Sequence, residues 1–266
     1  MTAMFKGDEK LKKLDLSSID MSNVLNTSYM FNGCKELSVS EDDFKLNDSV
    51  VKDYMLPINL SANGSLDEIG TIVTIGSEKF YIIGSDSNNV KLFAMYNLHV
   101  GNSVDADMNV TPLANPTGMQ SSDAKGAAWD GDGGPRIFPS IGTVAFSNDS
   151  QKGTKYNDYS GSIVEVHVNN YKNELEKLGV EIKGARLITY DELTDSNTFA
   201  CVIYDSCSSK YSWINSTSYW TGTGDAENDN YVWRIYGGGG FSNNLSSMDT
   251  EFGVRPVIIV SKNIFK

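Results

Sequence analysis

Short apolar bursts separated by long polar stretches set the rhythm of this chain, and each burst predicts an element. Residues 70–75 and 80–83 are β-branched and aromatic runs on either side of a glycine-bearing turn, which reads as strand, tight turn and strand. Residues 90–96 add a third strand after a polar turn at 85–89, completing a meander that opens near Ile69. From 100 to 154 periodicity disappears, and Gly, Asn, Asp, Ser and Pro predict loops pinned by side-chain-to-backbone bonds. Ile163, Val166, Tyr171, Leu175 and Leu178 then recur at helical spacing up to Gly179, so residues 162–179 predict an amphipathic helix with a glycine stop. Residues 180–182 and 186–188 read as two short strand pieces, and Thr189-Tyr190-Asp191-Glu192 as a capping box opening a second, shorter helix.

The last quarter holds three apolar runs, at 218–220, 231–236 and 254–260, set among polar loops. Tyr231 to Tyr236 mixes aromatic and β-branched residues and predicts a strand. Four glycines, Gly237 to Gly240, offer no side chain to pack, so the chain is expected to leave the sheet there. Val257 to Val260 is an unbroken apolar run suited to a strand covered on both faces. Arg255, just before Pro256, is expected to be a structural arginine with its fork spread over backbone carbonyls or a carboxylate. The pattern predicts an α+β chain, mostly strands with two helices.

Two resemblances sharpen this. Tyr219-Trp220-Thr221-Gly222-Thr223, then Val232-Trp233-Arg234-Ile235, then Phe252-Gly253-Val254-Arg255-Pro256-Val257 resemble the closing portion of bacterial C-type-lectin-like domains. The order is similar both to the variable proteins of diversity-generating retroelements and to the formylglycine-generating enzyme superfamily, and Asn97-Leu98 resembles the opening of such domains. That resemblance implies a compact scaffold with irregular loops that bind ligands. At the other end, Met4-Phe5-Lys6-Gly7 recurs as Met30-Phe31-Asn32-Gly33 and Leu11 as Leu37, a 26-residue period. With Asp15-Leu16-Ser17-Ser18 and Met21-Ser22-Asn23-Val24, this stretch resembles the leucine-rich-like repeats of BspA-type bacterial surface proteins. The expected organisation is a repeat stub at 1–46, a polar connector at 47–68 and a C-type-lectin-like domain at 69–266. A repeat cannot bury its apolar face alone, so the stub is expected to continue a longer array or to pack on the next domain. Cys34 is expected to be a core thiol without chemistry.

Composition narrows the function classes. A formal charge of −12 repels nucleic acid and anionic membrane surfaces at long range, and no apolar run is long enough to span a bilayer. Residues 1–10 lack the apolar core of a secretory leader, so an extracellular or cell-surface location rests on the resemblances. Cys201 and Cys207, six apart in a serine-rich loop, close a small disulfide if the compartment oxidises, and otherwise are two unlinked thiols. No second cysteine pair or nearby histidine completes a metal set. Asp130-Gly131-Asp132-Gly133 is a fragment of a calcium loop without its later ligands; an acidic turn is expected there, and no cofactor.

Catalysis finds little support. His99 and His167 are the only histidines, and no nucleophile elbow, zinc helix or phosphate loop is present. Formylglycine-generating enzymes use a cysteine pair near the chain end, whereas no cysteine follows Cys207, so an oxidase remnant is the weakest alternative. Binding is favoured. Trp220, Trp233, Tyr236 and Phe241 stand among Asp225, Asn228, Asp229, Asn230, Asn243 and Asn244, a mix of rigid aromatic and short polar residues that antibody paratopes use. Trp220 and Trp233 read equally well as core; Tyr236, Phe241 and the asparagines are expected to be exposed. The resemblance to retroelement-diversified proteins implies variable positions drawn from the residues reached by mutating asparagine codons, and residues 225–250 are made largely of that set. The expected function is a non-catalytic adhesin or receptor-binding protein gripping a protein or glycan, with a phage or pilus structural module as the alternative.

Overall fold

A computed structural model of the chain describes residues 5–12, 14–15, 31, 33–34, 36, 44–45, 58–105, 107, 109–126, 140–147, 156–238, 240–246 and 251–265. Phe5 stacks on Phe31 with ring centroids 5.3 Å apart, Gly7 and Gly33 both have left-handed backbones, and the buried Cys34 thiol donates to the Phe5 carbonyl at 3.1 Å. Strands β1 (Leu14–Asp15) and β2 (Phe44–Lys45) pair in parallel.

The rest is mostly β-structure with few helices. Strand β3 (Leu60–Ala62) lies within the stretch expected as connector and forms the edge of a six-stranded antiparallel sheet. The meander follows as β4 (Ile72–Ile75), β5 (Glu78–Ser85) and β6 (Asn89–Ala94), where the sequence pattern places it. Gly76 closes the first turn with φ +64°, a conformation that side-chain-bearing residues rarely adopt. Between 100 and 154, where only loops were expected, a second sheet forms from β7 (Asn102–Val104), β8 (Val110–Pro112) and β9 (Ser140–Thr143). These strands are three or four residues long, too short for alternation to show.

Helix α1 (Ile163–Lys177) is N-capped by Ser162, whose hydroxyl accepts from the Glu165 amide, and the chain beyond it turns through Gly179 at φ +94°. Its buried stripe is Val164, Val168, Tyr171 and Leu175; Val166, expected on that face, points outward. After α1 the two expected strand pieces are one continuous strand, β10 (Ile182–Leu187), with a bulge between Ile182 and Gly184 that hid its period. Helix α2 (Tyr190–Thr194) begins with the capping box, both reciprocal Thr189 and Glu192 bonds being formed. Three further strands, β11 (Tyr219–Gly224), β12 (Tyr231–Tyr236) and β13 (Gly240–Leu245), make a separate antiparallel sheet, and β14 (Pro256–Ser261) returns between β10 and β6.

Alternation along β6 and β14 feeds two cores. Leu92, Ile258 and Val260 face one with α1, Trp220, Val232 and Phe252; Phe93 and Val257 face the other with Ile188, Leu193, Phe199, Tyr219, Ile235 and Phe241. The three-stranded sheet therefore contributes to both cores, with each face of β11 and β12 serving a different one. Arg255 joins it to the large sheet. Fully buried, it donates to the carbonyls of Ala94 (2.8 Å), Met95 (2.9 Å), Trp213 (3.0 Å) and Ile214 (3.4 Å) and lies over the Phe93 and Tyr219 rings. Burial pushes its pKa down to about 10, which leaves it charged at neutral pH.

A second buried polar cluster holds the middle of α1 through Tyr171. The Tyr171 hydroxyl (2.9 Å) and the Gln120 amide N–H (3.0 Å) both donate to Glu78, and Gln120 Nε2 donates to the Tyr171 oxygen (2.9 Å). Burial raises the Glu78 carboxyl above the usual carboxylate range, against hydrogen bonds that favour its charged form. A raised folded-state pKa means that the native state holds a proton the unfolded chain releases. Stability is therefore lost as pH rises from the unfolded value of about 4.3 through the folded one. Glu78→Gln is expected to flatten that fall, read as a melting temperature that varies less than wild type between about pH 4 and about pH 7. Arg255→Met removes the donor to the Ala94 and Met95 carbonyls, at about 1–3 kcal/mol each, while the Trp213 and Ile214 carbonyls keep the Ser216 and Tyr219 hydroxyls. Urea unfolding is expected to show a loss of roughly 3 kcal/mol or more.

Candidate functional site

The candidate site is built on β12 and β13. Their register sets Trp233 opposite Asn243, Val232 opposite Asn244 and Tyr236 opposite Gly240, so the expected ligand residues divide between the two faces. On one face lie the half-buried Tyr231, Trp233 and Asn243, with Ile235 and Phe241 farther along and fully buried. Tyr236 and Asn244 lie on the other. There the Arg234 guanidinium sits 3.4 Å from the Tyr236 ring centroid and hydrogen-bonds its hydroxyl, and Tyr236 packs against Phe252 with centroids 5.9 Å apart.

Two of the expected ligand residues are core. Trp220 is buried, its indole N–H donating to the Val144 carbonyl at 2.8 Å and its ring meeting Phe146 and Phe252 edge-on. Phe241, expected in an exposed loop, is fully buried because Gly240 re-enters the sheet as the start of β13 instead of continuing away from it. The glycines turn the chain, and only Gly238 among the described ones in that run has a left-handed backbone, at φ +99°.

The loop between β11 and β12 carries Asp225, Asn228, Asp229 and Asn230, and it is fastened from beneath. Asn157 Nδ2 donates to the Asp225 carbonyl at 2.9 Å and the Asn228 carbonyl at 3.1 Å, and the Asn157 amide donates to the Asp229 carbonyl at 3.1 Å. Ser246 bonds the Asn230 carbonyl through both its amide and its hydroxyl. Gly224 permits the approach, since a Cβ there would stand 2.6 Å from the Asn157 side chain. Within the loop, Asp225 and Asn228 accept from amides two residues on, so the short polar residues that suggested binding also make the turns.

Asn243 ties this loop to the sheet and to a third segment. Its Nδ2 donates to Asp225 at 2.5 Å, and its Oδ1 accepts from the Tyr204 hydroxyl at 3.5 Å. Tyr204 stands in the ring closed by a Cys201–Cys207 disulfide. That ring is pinned to the free edge of β13: the Tyr204 amide donates to the Phe241 carbonyl at 2.7 Å, and the Phe241 amide to the Asp205 carbonyl at 3.0 Å. Tyr190, at the start of α2, completes the aromatic surface with its ring 4.7 Å from that of Trp233. Around it, Arg186 holds Glu192 through two bonds at 2.7 and 2.6 Å. Burial works against the Glu192 charge, but the Arg186 guanidinium outweighs it and keeps the carboxyl below its ordinary range.

The arrangement gathers Tyr190, Tyr204, Asp225, Tyr231, Trp233 and Asn243 around one region. Tyr190, Tyr204 and Tyr231 were not among the expected site residues. The signal for Tyr204 was present, as three apolar residues inside a cysteine ring, and that for Tyr190 was hidden by its place in a capping box. Chemically, the region offers aromatic faces, amides and carboxylates on a fixed backbone. Among the described residues no group of three or more His, Cys, Asp or Glu could hold a metal ion, and the Asp130 and Asp132 turn lies outside them. No described helix is long and apolar enough to cross a membrane.

The chain matches no family model, no curated protein and no solved structure.

The role of Asn157 is open to measurement. Asn157→Ala removes the side-chain bonds to the 225–230 loop, and hydrogen exchange there is expected to accelerate about tenfold or more while exchange in β4 to β6 stays unchanged. Equal acceleration in both places would mean that Asn157 supports the whole fold rather than the loop.

Proposed function

We propose that this chain is a non-catalytic ligand-binding protein of the adhesin or receptor-binding type, with a C-type-lectin-like domain preceded by leucine-rich-like repeats. The observation that carries the reading is the convergence of Trp233, Asn243, Asp225 and Tyr204, from three separate segments, on one partly exposed region whose backbone is fixed by Asn157 and the disulfide. Aromatic rings supply contact area at little entropic cost, amides supply adaptable hydrogen bonds, and a backbone fixed in advance reduces the ordering that binding requires. The Cys201–Cys207 disulfide favours an oxidising compartment and so supports an extracellular or cell-surface location. The Phe5–Phe31 stack and the parallel β1–β2 pair support the repeat reading of the first segment. The ligand is a protein or glycan on another surface; the charge of −12 disfavours nucleic acid.

Screening the immobilised full chain on a printed glycan array and a panel of extracellular proteins tests this. A ligand that binds wild type is expected to bind Trp233→Leu and Asn243→Ser at least about tenfold more weakly, with the melting transition retained. A ligand bound equally by wild type and both variants would place recognition elsewhere.

A further inference from the structure

We propose that the disulfide-closed finger, with Val202, Ile203 and Tyr204 at its tip and Asp205 and Asp225 at its flank, docks into a protein partner presenting an apolar pocket edged by lysine or arginine. The proposal rests on the ligand-binding reading and names the partner chemistry for that same region. Val202, Ile203 and Tyr204 are 57%, 38% and 77% exposed, and they account for three of the five exposed large apolar side chains among the described residues. The other two, Val110 and Val166, are isolated in β8 and α1. Scattered apolar residues are normal on a surface, whereas three in succession on a braced loop mark a contact.

The finger is braced in an unusual backbone. Ala200 and Tyr204 have φ of +46° and +59°, and they are the only described residues other than glycine in the left-handed region. Such a conformation in a tyrosine persists only when its surroundings hold it, here the disulfide and the two backbone bonds to Phe241. The result is a presented ring with little left to order on binding, which is the property of a contact anchor.

Charge selects the partner. Residues 201–207 contain Asp205 and no base, and residues 225–230 contain Asp225, Glu227 and Asp229 and no base. Tyr204 is joined to that acidic loop through Asn243. Lys210, three residues beyond the ring, lies over the Tyr211 face 4.9 Å from its centroid. An apolar tip beside uncompensated carboxylates complements an apolar pocket with a cationic border, and it disfavours an anionic lipid surface.

A phage-displayed random peptide library panned on the full chain provides the probe. Enriched peptides are expected to combine Lys or Arg with Leu, Phe or Trp. Their binding should weaken with salt and fall at least about tenfold in Ile203→Ser and Tyr204→Gly, while Val166→Ser binds as wild type. Tyr204→Gly suits the left-handed backbone, so it removes the ring and leaves the loop folded, which an unchanged or raised melting temperature will show. Cys201→Ser/Cys207→Ser is expected to weaken the same peptides through loss of bracing. The proposal is overturned by peptides without basic residues, by peptides indifferent to Ile203 and Tyr204, or by no enrichment. Loop-dependent binding to phosphatidylserine or phosphatidylcholine vesicles, or loop-dependent self-association in sedimentation, overturns it equally. Peptides lost in Trp233→Leu but kept in Tyr204→Gly would retain the ligand-binding face and remove the finger; peptides kept in both would remove both.

Discussion

A charged side chain taken wholly out of water must replace its hydration with fixed partners, and in this molecule Arg255 does so with four backbone carbonyls and two ring faces. The carbonyls belong to the end of β6 and to the turn at Ser209–Asn215, segments more than a hundred residues apart in sequence. That turn also receives the Tyr219 hydroxyl on the Ile214 carbonyl at 2.6 Å and places Trp213 on Tyr81 with ring centroids 4.2 Å apart. The β11–β13 sheet is therefore tied, through Tyr219, to a clamp that lies behind it in the core. Because a planar fork serves several acceptors at once, a lysine could not reproduce the arrangement.

On that foundation the outer region is fixed by small, local devices rather than by a large apolar area. Asn157 and Ser246 hold one loop, the Cys201–Cys207 bond and the edge of β13 hold another, and Asn243 connects the two. Each device leaves aromatic or amide side chains partly exposed. Asp225 takes part in two such devices, accepting from the Glu227 amide within its own loop and from Asn243 Nδ2 across to β13.

Much of the secondary structure was legible because the signals were local. The β4 to β6 meander, the Ser162 to Gly179 helix and the Thr189 capping box depend on side-chain type and spacing within a few residues, and they form where the pattern puts them. Elements whose signal is short or interrupted were not legible. The strands β7, β8 and β9 are too brief to alternate, and the bulge in β10 broke one strand into two apparent pieces. The expected ligand residues fared unevenly for the same reason. Phe241 and Asn243 follow a glycine run that reads as a loop, yet pairing with β12 makes them a strand and buries the first while half-exposing the second.

Composition and local spacing alone determined that the described chain is mostly β with few helices, has a terminal strand covered on both sides and carries an excess of acidic side chains for its surface. Which aromatic residues reach that surface was decided only by tertiary packing. Strand alternation says that Trp220 and Tyr219, or Tyr236 and Trp233, point opposite ways, but not what waits on either side. Long-range contacts supply the answer: Val144 and Phe252 close over Trp220, Arg234 covers Tyr236, and Asn243 brings Tyr204 and Asp225 beside Trp233.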